Sequence, residues 1–391
     1  MNRTVETLIH AIREMRPRLD SRAREIEAAR RVPADILDEL KRLGVFRMNA
    51  PRSHGGLELP LRDSCEVLTQ IAKVDGSVGW VVMIGSFASL ILGRLPRPLF
   101  DQIYRDGPDI TVAGAAAPGG TAEVFDGGYR VTGRWPFASG CDHADWLFGF
   151  CIATRNGVPE PGPMEGVPPL KIVVLPAKDW QIEDTWFAHG LRGTGSHHIA
   201  LNDVWVPESN VIDLFNGHPS VGGPLFQGAP AFFVTTHCAF ALGLAEGAIQ
   251  DLVDLTDTGK CPVYGRIALK DAPTVQFELG RAEVVLRAAR ALMQEQCDID
   301  WQDCLAGRIQ DLDRTTRRHQ SATWINEVCG QAIETCYRLG GASSVYETSP
   351  LQRRLRDISA ATQHLSVNSR HYLTAGAQRL GRQPVHPLFA A

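Results

Sequence analysis

Apolar residues recur every three or four positions through the first hundred residues of the chain, which is the spacing of amphipathic helices. In residues 3–30 the apolar positions are Val5, Leu8, Ile9, Ile12, Met15 and Leu19. The next segment, PADILDELKRLGVF at 33–46, has proline near its start and glycine near its end, as helices commonly do. With two further apolar segments at 61–74 and 77–93, the pattern predicts a helical domain over residues 1–108.

The pattern changes near residue 110, where short apolar runs replace the helical period. The stretch ITVAGAAAPGGTAEVFDGGYRVTGRWPFASG, residues 110–140, contains β-favouring runs separated by Gly-Gly pairs. Short strands bounded by such turns are typical of an antiparallel sheet. Similar runs continue to residue 212, so we expect a central antiparallel β domain over residues 109–215.

The helical period returns in the last part of the chain, over long segments with few helix-breaking residues. Two of these segments are AFFVTTHCAFALGLAEGAIQDLVDL and TVQFELGRAEVVLRAARALMQEQ. Long amphipathic helices of this kind pack as bundles. We therefore predict a carboxy-terminal helical bundle over residues 228–391, and an α+β protein overall.

The composition of the chain limits its possible binding partners and indicates its cellular compartment. The 40 Lys and Arg residues against 44 Asp and Glu give a formal net charge of -4, so we expect no binding to nucleic acid. Nine scattered cysteines without a CxxC pair indicate reduced thiols, the cytoplasm and no metal site. The apolar run VGWVVMIGSFASLILG at 78–93 contains Gly and Ser, which favours a buried helix over a membrane span.

Four motifs lie in order along the chain: VDGSVGW (74–80), VTGRWPFASGCDHADW (131–146), GLRGTGSHHIALNDVWVPESNV (190–211) and LGGASSVYETSPLQRRLRD (339–357). In order and spacing they resemble the acyl-CoA dehydrogenase superfamily, and most of all its flavin-dependent two-component monooxygenase branch (group D hydroxylases). The resemblance implies the acyl-CoA dehydrogenase fold: an N-terminal α domain, a central β-barrel-like domain and a C-terminal four-helix bundle.

The resemblance also implies the residues that bind the flavin, which are Trp135, Phe137, Ser139, Thr194, Ser196, Gly340 and Gly341. In this interpretation Trp135 is a wall against the flavin ring and Ser139 places a hydroxyl near N5. Thr194 and Ser196 would bind the phosphate or ribityl chain, and the two glycines would approach the cofactor of a neighbouring subunit. From the residues alone, Trp135 is a core tryptophan and RGTGS is a plain turn.

The base of an acyl-CoA dehydrogenase is missing from its usual places. In most members a glutamate lies eight residues after the Asp of the RD motif, and counting from Asp357 gives Leu365. No glutamate occurs after residue 347, and the alternative position on the first bundle helix, AFFVTTHCAFALG, has no acid. Dehydrogenation of an acyl-CoA therefore lacks its proton acceptor.

A histidine, His364, lies one residue before the expected glutamate. The hydroxylase branch carries a histidine on its last helix, takes reduced FAD or FMN from a separate reductase, and forms a C4a-hydroperoxyflavin with O2. An imidazole there can deprotonate a phenol or hold the substrate. We expect His364, with Ser139, to be catalytic; the alternative is a histidine that only packs between helices.

The predicted substrate pocket consists of Trp80, Phe87, His143 and Asn368. A continuous helix would place Asn368 and Asp357 on the face of His364. In some relatives a second histidine comes from the helix at 77–93, where this chain has Ser86 and Phe87. The sequence thus argues against a two-histidine site and for a more apolar pocket.

Together these observations predict a cytoplasmic homotetramer that hydroxylates a small phenolic or indole-like substrate, with a separate NAD(P)H-dependent flavin reductase as partner and no membrane association. Three alternatives stay open: an acyl-CoA dehydrogenase with an unusual base, an N- or S-oxygenase of the same branch, and a non-catalytic scaffold.

Overall fold

The computed structural model of the protein describes residues 3–163, 168–229, 231–262 and 265–382. The chain begins with helices, as the apolar period predicted. Their bounds are α1 Arg3–Glu14, α2 Arg16–Ala29, α3 Ala34–Leu43, α4 Leu61–Val74, α5 Gly76–Phe87, α6 Ser89–Leu92 and α7 Arg97–Ile103. Helix α3 ends at Gly44 because the chain there takes a φ of 89°, which favours glycine.

A single sheet follows the first helices. Its strands are β1 Val112–Phe125, β2 Gly128–Ala138, β3 Trp146–Arg155, β4 Val158–Pro159, β5 Leu170–Pro176, β6 Gln181–Glu183, β7 His197–Pro207 and β8 Val211–Asp213. The strand order is β6-β7-β2-β1-β3-β5-β8, with β4 paired to β3.

The described sheet is antiparallel, as predicted, at every strand pair except β1 with β3, which makes it mixed. β1 pairs antiparallel with β2 but parallel with β3, with Val112 opposite Trp146. The register of that parallel pair shifts around Pro118, as expected where a proline removes a donor from the ladder. The turn between β1 and β2 can be recognised in the sequence and predicts an antiparallel pair. The parallel pairing of β1 with the later strand β3 has no local sequence pattern.

The second helical region surrounds a central helix. Its helices are α8 Pro224–Gln227, α9 Phe232–Asp257, α10 Pro273–Leu305, α11 Leu312–Gly340, α12 Pro350–Ala361 and α13 Arg370–Arg379. By length and composition α9 could cross a membrane, but 83% of its apolar window is buried in the protein, as in a core helix. The last nine residues of the predicted bundle domain lie outside the described residues.

Helix α12 ends at Ala361, so the predicted continuous helix through residues 356–368 was wrong. Gln363 and His364 make i→i−3 bonds to the carbonyls of Ala360 and Ala361, which tightens and closes the last turn. His364 then takes an extended conformation, with φ -69° and ψ 138°, before a short 3-10 turn at Leu365–Val367. The helical spacing between Asp357, His364 and Asn368 therefore does not hold.

Candidate active site

Two imidazoles lie side by side where α9 meets the end of α12. The ring centroids of His237 and His364 are 4.4 Å apart, with their planes tilted by 33°. Phe233 contacts both rings, with centroid distances of 5.2 Å to His237 and 5.7 Å to His364. Trp80 presents its edge to them at 5.3 Å and 6.2 Å. The sequence argument against a second histidine was wrong, because this one comes from α9.

His364 is neutral, and its tautomer is determined by the backbone. The side chain is half-buried, and burial lowers its pKa to about 4. Nδ1 accepts a hydrogen bond from the amide of Ser366, at 3.2 Å. A neutral imidazole has one donor and one acceptor nitrogen, so the remaining proton is on Nε2. Toward a ligand His364 is therefore a hydrogen-bond donor, and its expected role as the substrate base is not favoured.

His237 is fully buried, and neither ring nitrogen has a hydrogen-bond partner among the described residues. Burial, followed by the nearby His364 and His319, lowers its pKa well below the usual range for histidine. The imidazole is thus neutral and carries one free donor and one free acceptor.

A chain of hydrogen bonds runs from the N–H of Trp80 through the hydroxyls of Ser139, Ser196 and Thr194. Its donors and acceptors can be assigned in one way. Thr194 Oγ1 uses its proton on the Leu191 carbonyl at 2.8 Å, so Ser196 must donate in its 2.6 Å contact with Thr194. By the same reasoning Ser139 donates in its 2.6 Å contact with Ser196. Trp80 Nε1 donates to Ser139 at 3.0 Å. Ser139 therefore has no free proton, and toward a ligand its hydroxyl can only accept.

The hydroxyls of Thr194 and Ser196 are enclosed within the protein, at 1% and 3% exposure of their residues. The amide of Gly193 donates to Ser77 Oγ at 3.1 Å, and that of Thr194 to the Leu191 carbonyl. Within the protein these two hydroxyls orient Ser139. The expectation that they bind a flavin phosphate or ribityl chain stays a prediction.

The loop that carries these hydroxyls is held by a buried acid. Asp357 Oδ1 accepts from the Leu191 amide at 2.6 Å. Burial, and then the neighbouring Asp75, raise the pKa of Asp357 to about 7. The backbone of Gly190 lies so close to Arg356 that a Cβ would stand 1.9 Å from its carbonyl oxygen. Asp357 thus ties the loop to α12 and lies apart from the histidine pair.

The strand residues predicted to contact flavin face opposite ways. Trp135 is fully buried between sheet glycines, donates from Nε1 to the Phe150 carbonyl at 2.6 Å, and packs against Trp180. It is a core residue, which corrects its expected role as a wall of the flavin site. Phe137 is 66% exposed, has a φ of 64°, and presents its ring edge to Trp186. Residues two apart share a face in a regular strand, so the difference follows from the irregular pairing of β2 with β7 between Trp135 and Ala138.

The remaining predicted pocket residues lie in three different environments. Phe87 is buried in the helical core. His143 lines a small cavity beside Ser139, and burial lowers its pKa to about 4 while Nε2 has no partner among the described residues. Asn368 is exposed, and its side chain accepts from the Arg370 amide at the start of α13. Its expected place in the pocket stays a prediction.

The two glycines after α11 differ. Gly340 is buried, and a Cβ there would stand 2.1 Å from Ser344 Oγ, while its carbonyl accepts from Lys260 Nζ at 2.8 Å. Gly341 has a φ of 60° and open space around it. The expected approach of both glycines to a neighbouring cofactor stays a prediction.

A second histidine pair packs against the turn that follows His364. His319 and His371 have centroids 4.3 Å apart, at 36°. Each donates to a carbonyl of the turn, from His319 Nδ1 to Ser366 at 3.0 Å and from His371 Nε2 to Leu365 at 2.9 Å. This pair holds the backbone that orients His364.

The exposed ring of Phe137 and the accepting hydroxyl of Ser139 fit a flavin. An aromatic ring held outward at a positive φ, which a non-glycine residue adopts only at a cost, offers an apolar edge. Ser139 fits a hydrogen-bond donor such as the N5–H of a reduced flavin. Among the described residues, no group of three or more His, Cys, Asp or Glu could hold a metal ion.

Residues 235–369 match the family model for the acyl-CoA dehydrogenase C-terminal domain, and residues 6–94 match the one for the N-terminal domain. The chain therefore belongs to the acyl-CoA dehydrogenase family. Within it the chain is a flavin-dependent monooxygenase that uses reduced flavin, as the following relatives establish.

The chain is 33% identical to an indole-3-acetate monooxygenase of Pseudomonas putida, over 97% of this chain and 94% of that protein. It is 31% identical to the oxygenase component of an FADH2-dependent resorcinol hydroxylase of Rhizobium sp., over 89% of this chain and 87% of that protein. The structure of XiaF from Streptomyces sp. with FADH2 and glycerol matches with a TM-score of 0.89 at 25% identity, over 97% and 96% of the two chains. These matches confirm the predicted fold, enzyme class and cofactor.

His237 was not predicted as a site residue, although it lies in the stretch that lacks the acid of a dehydrogenase. The signal was present: one imidazole in AFFVTTHCAFALG, an otherwise apolar and hydroxyl-bearing stretch. A polar ring in such a stretch is most often a core histidine, and only its contact with His364 gives it significance.

Proposed function

We propose that the protein is the oxygenase component of a two-component system that inserts one atom of O2 into a small phenolic or indole-like ring. The observation that carries the proposal is the neutral pair His237 and His364 against Trp80. Two imidazoles and aromatic rings lie where a dehydrogenase of the family would need a carboxylate. The names of the two relatives, which act on an indole and on a phenol, support this substrate class.

The residues divide the work of binding and orientation. Reduced flavin, when bound, supplies the electrons and the activated oxygen. Phe137 and Ser139 would hold it, with Ser139 accepting from a ring N–H. His364 donates from Nε2 to a substrate oxygen and orients the ring toward the flavin. Trp80 connects the flavin side of the site with the substrate side, because its N–H donates to Ser139 and its ring packs against His237.

The apolar surroundings also exclude water. Trp80 and Phe233 contact both rings of the pair, and Phe240 packs edge-to-face with Trp80 at 5.0 Å. Water excluded from the site cannot divert the activated oxygen into H2O2. The proposal therefore includes tight coupling between flavin oxidation and product.

A separate NAD(P)H-dependent reductase supplies the reduced flavin in this proposal. The name of the Rhizobium relative, an oxygenase component, supports this division. We further propose a cytoplasmic homotetramer. Nine free cysteines support the compartment, and exposed apolar side chains on the bundle support packing against other copies, namely Phe277, Val284, Leu373 and Leu380. Light scattering on the purified protein tests the assembly.

The experiment that tests the function supplies reduced FAD from any NADH-dependent flavin reductase, under 18O2, with resorcinol, indole, aniline, thiophene and an acyl-CoA as separate substrates. We expect 18O in the product from resorcinol or indole. Label in aniline or thiophene alone would favour N- or S-oxygenation. Reduction of oxidised flavin by the acyl-CoA would contradict the proposal and favour a dehydrogenase, and no product with any substrate would favour a scaffold.

A further inference from the structure

His237 has no assigned part in the reaction, yet its environment is unusual for a core residue. Its ring is fully buried, and neither nitrogen is hydrogen-bonded within the described part of the chain. Nearly all buried polar groups have a partner, because an unsatisfied one costs about 1–3 kcal/mol. His237 has two such atoms, so folding alone does not explain an imidazole here.

The aromatic neighbours of His237 form no hydrogen bond with its ring, but their arrangement leaves its nitrogens available to a ligand. Phe233 has no polar side-chain atom, and the N–H of Trp80 is already donated to Ser139. The other ring in contact with His237 is His364, whose Nδ1 is occupied by the Ser366 amide. His364 thus presents only its Nε2–H, while His237 retains an acceptor. Rings with centroids 4.4 Å apart can both reach one small polar atom.

We propose that His237 is a substrate-binding residue that accepts the O–H of a phenol or the N–H of an indole. The oxygen of a phenol then receives the Nε2–H of His364. This assignment rests on the proposed function and makes it more specific, since the two imidazoles together recognise a donor group on an uncharged ring. Access is from the side of His364, the half-buried member of the pair.

The neutral state of both rings defines the ligand further. Burial depresses the pKa of each imidazole, so the pair carries no charge to balance a carboxylate or a phenolate at this point. A charged group without a partner is costly in such surroundings. The site therefore selects the protonated phenol or the neutral indole, and any carboxylate of the substrate must point away from the pair.

The test is equilibrium dialysis of anaerobic protein loaded with reduced FAD, which measures affinity without turnover. Phenol is compared with anisole and indole with N-methylindole, because each second probe lacks the donor. In the wild type we expect the donor probe to bind about 10-fold tighter than its methylated partner, the ratio for one hydrogen bond. In His237→Phe, which keeps an aromatic ring, the ratio should fall to about 1, and His237→Gln should restore part of it.

Thermal unfolding of the same variants separates binding from packing. Since His237→Phe removes two unsatisfied buried atoms, it should unfold at a temperature no lower than the wild type. A probe ratio that is unchanged in a folded His237→Phe overturns the role of His237 and leaves the proposed function intact. Loss of stability with an unchanged ratio assigns His237 to packing. A wild type that binds neither phenol nor indole contradicts both the aromatic substrate and the role of His237.

Discussion

The two histidine pairs have nearly the same geometry and different chemistry. His237 and His364 lie 4.4 Å apart at 33°, and His319 and His371 lie 4.3 Å apart at 36°. The second pair uses its N–H groups on backbone carbonyls. In the first pair one ring is tied by a single nitrogen, and the other has no partner among the described residues.

The difference shows how a stacked imidazole pair can serve either structure or ligand binding. A ring with its donor on a carbonyl has a fixed tautomer and little left to offer a ligand. A ring with free nitrogens in an apolar shell is costly unless a ligand uses them. His319 and His371 hold the turn that orients His364, so we call them the supporting pair. His237 and His364, for which we propose a role in substrate binding, are the binding pair.

The largest expected effect comes from the donor of the binding pair. His364→Ala should lower the rate of product formation about 100-fold, since loss of the donor that orients the substrate can misplace the reacting ring by enough to cost that much. His364→Gln, which retains a donor, should recover part of the loss. The measurement is the initial rate of product formation, together with the H2O2 released for each reduced FAD oxidised. Equal activity of His364→Ala and wild type would show that the ring only packs.

Breaking the supporting pair should cost stability before it costs chemistry. His371→Leu leaves the Leu365 carbonyl without its donor and should lower the free energy of unfolding by about 2 kcal/mol. His371→Gln is the matched variant that can still donate. Urea unfolding gives the free energy. A stability equal to wild type in His371→Leu would argue that the contact with Leu365 contributes nothing.

The cofactor side can be tested through the direction of its hydroxyl chain. Ser139→Ala removes the accepting oxygen and should weaken binding of reduced FAD about 10-fold, with a smaller effect on oxidised FAD. Thr194→Val removes the far end of the chain and frees Ser139 to reorient, whereas Thr194→Ser preserves it. Flavin fluorescence and anaerobic titration give the two affinities. Equal weakening of both redox forms would contradict the assigned direction.

The smallest effect concerns Asp357, the buried acid that binds the Leu191 amide. Its pKa is raised from 3.8 to about 7, so the folded protein binds the proton more tightly, and the stability that this confers is lost as pH rises through 7. Asp357→Asn keeps an acceptor for Leu191 and should be more stable than wild type at pH 8, by about 1 kcal/mol. The advantage should shrink at pH 5 and vanish near pH 4. Urea unfolding at the three pH values checks the trend, and a greater advantage at low pH would reverse the sign.

The sequence by itself determined the succession of helices, sheet and helices, because periods of 3.6 and 2 report directly on burial. It also determined what is missing: no glutamate after residue 347 means no dehydrogenase base at the usual position. His364 and Ser139 were identified from motif position, and the structure places Trp80 in contact with both.

Only the tertiary structure decided what those residues do. Local pattern predicted a helix through His364, but tight bonds end α12 at Ala361, and the Ser366 amide then determines which nitrogen of His364 is free. The partner of His364 is 127 positions away in sequence, the difference between 364 and 237, so no local period could pair them. Hydrogen-bond direction and side-chain contact arise from elements that meet in space, and they bring a lone histidine of an apolar helix against His364.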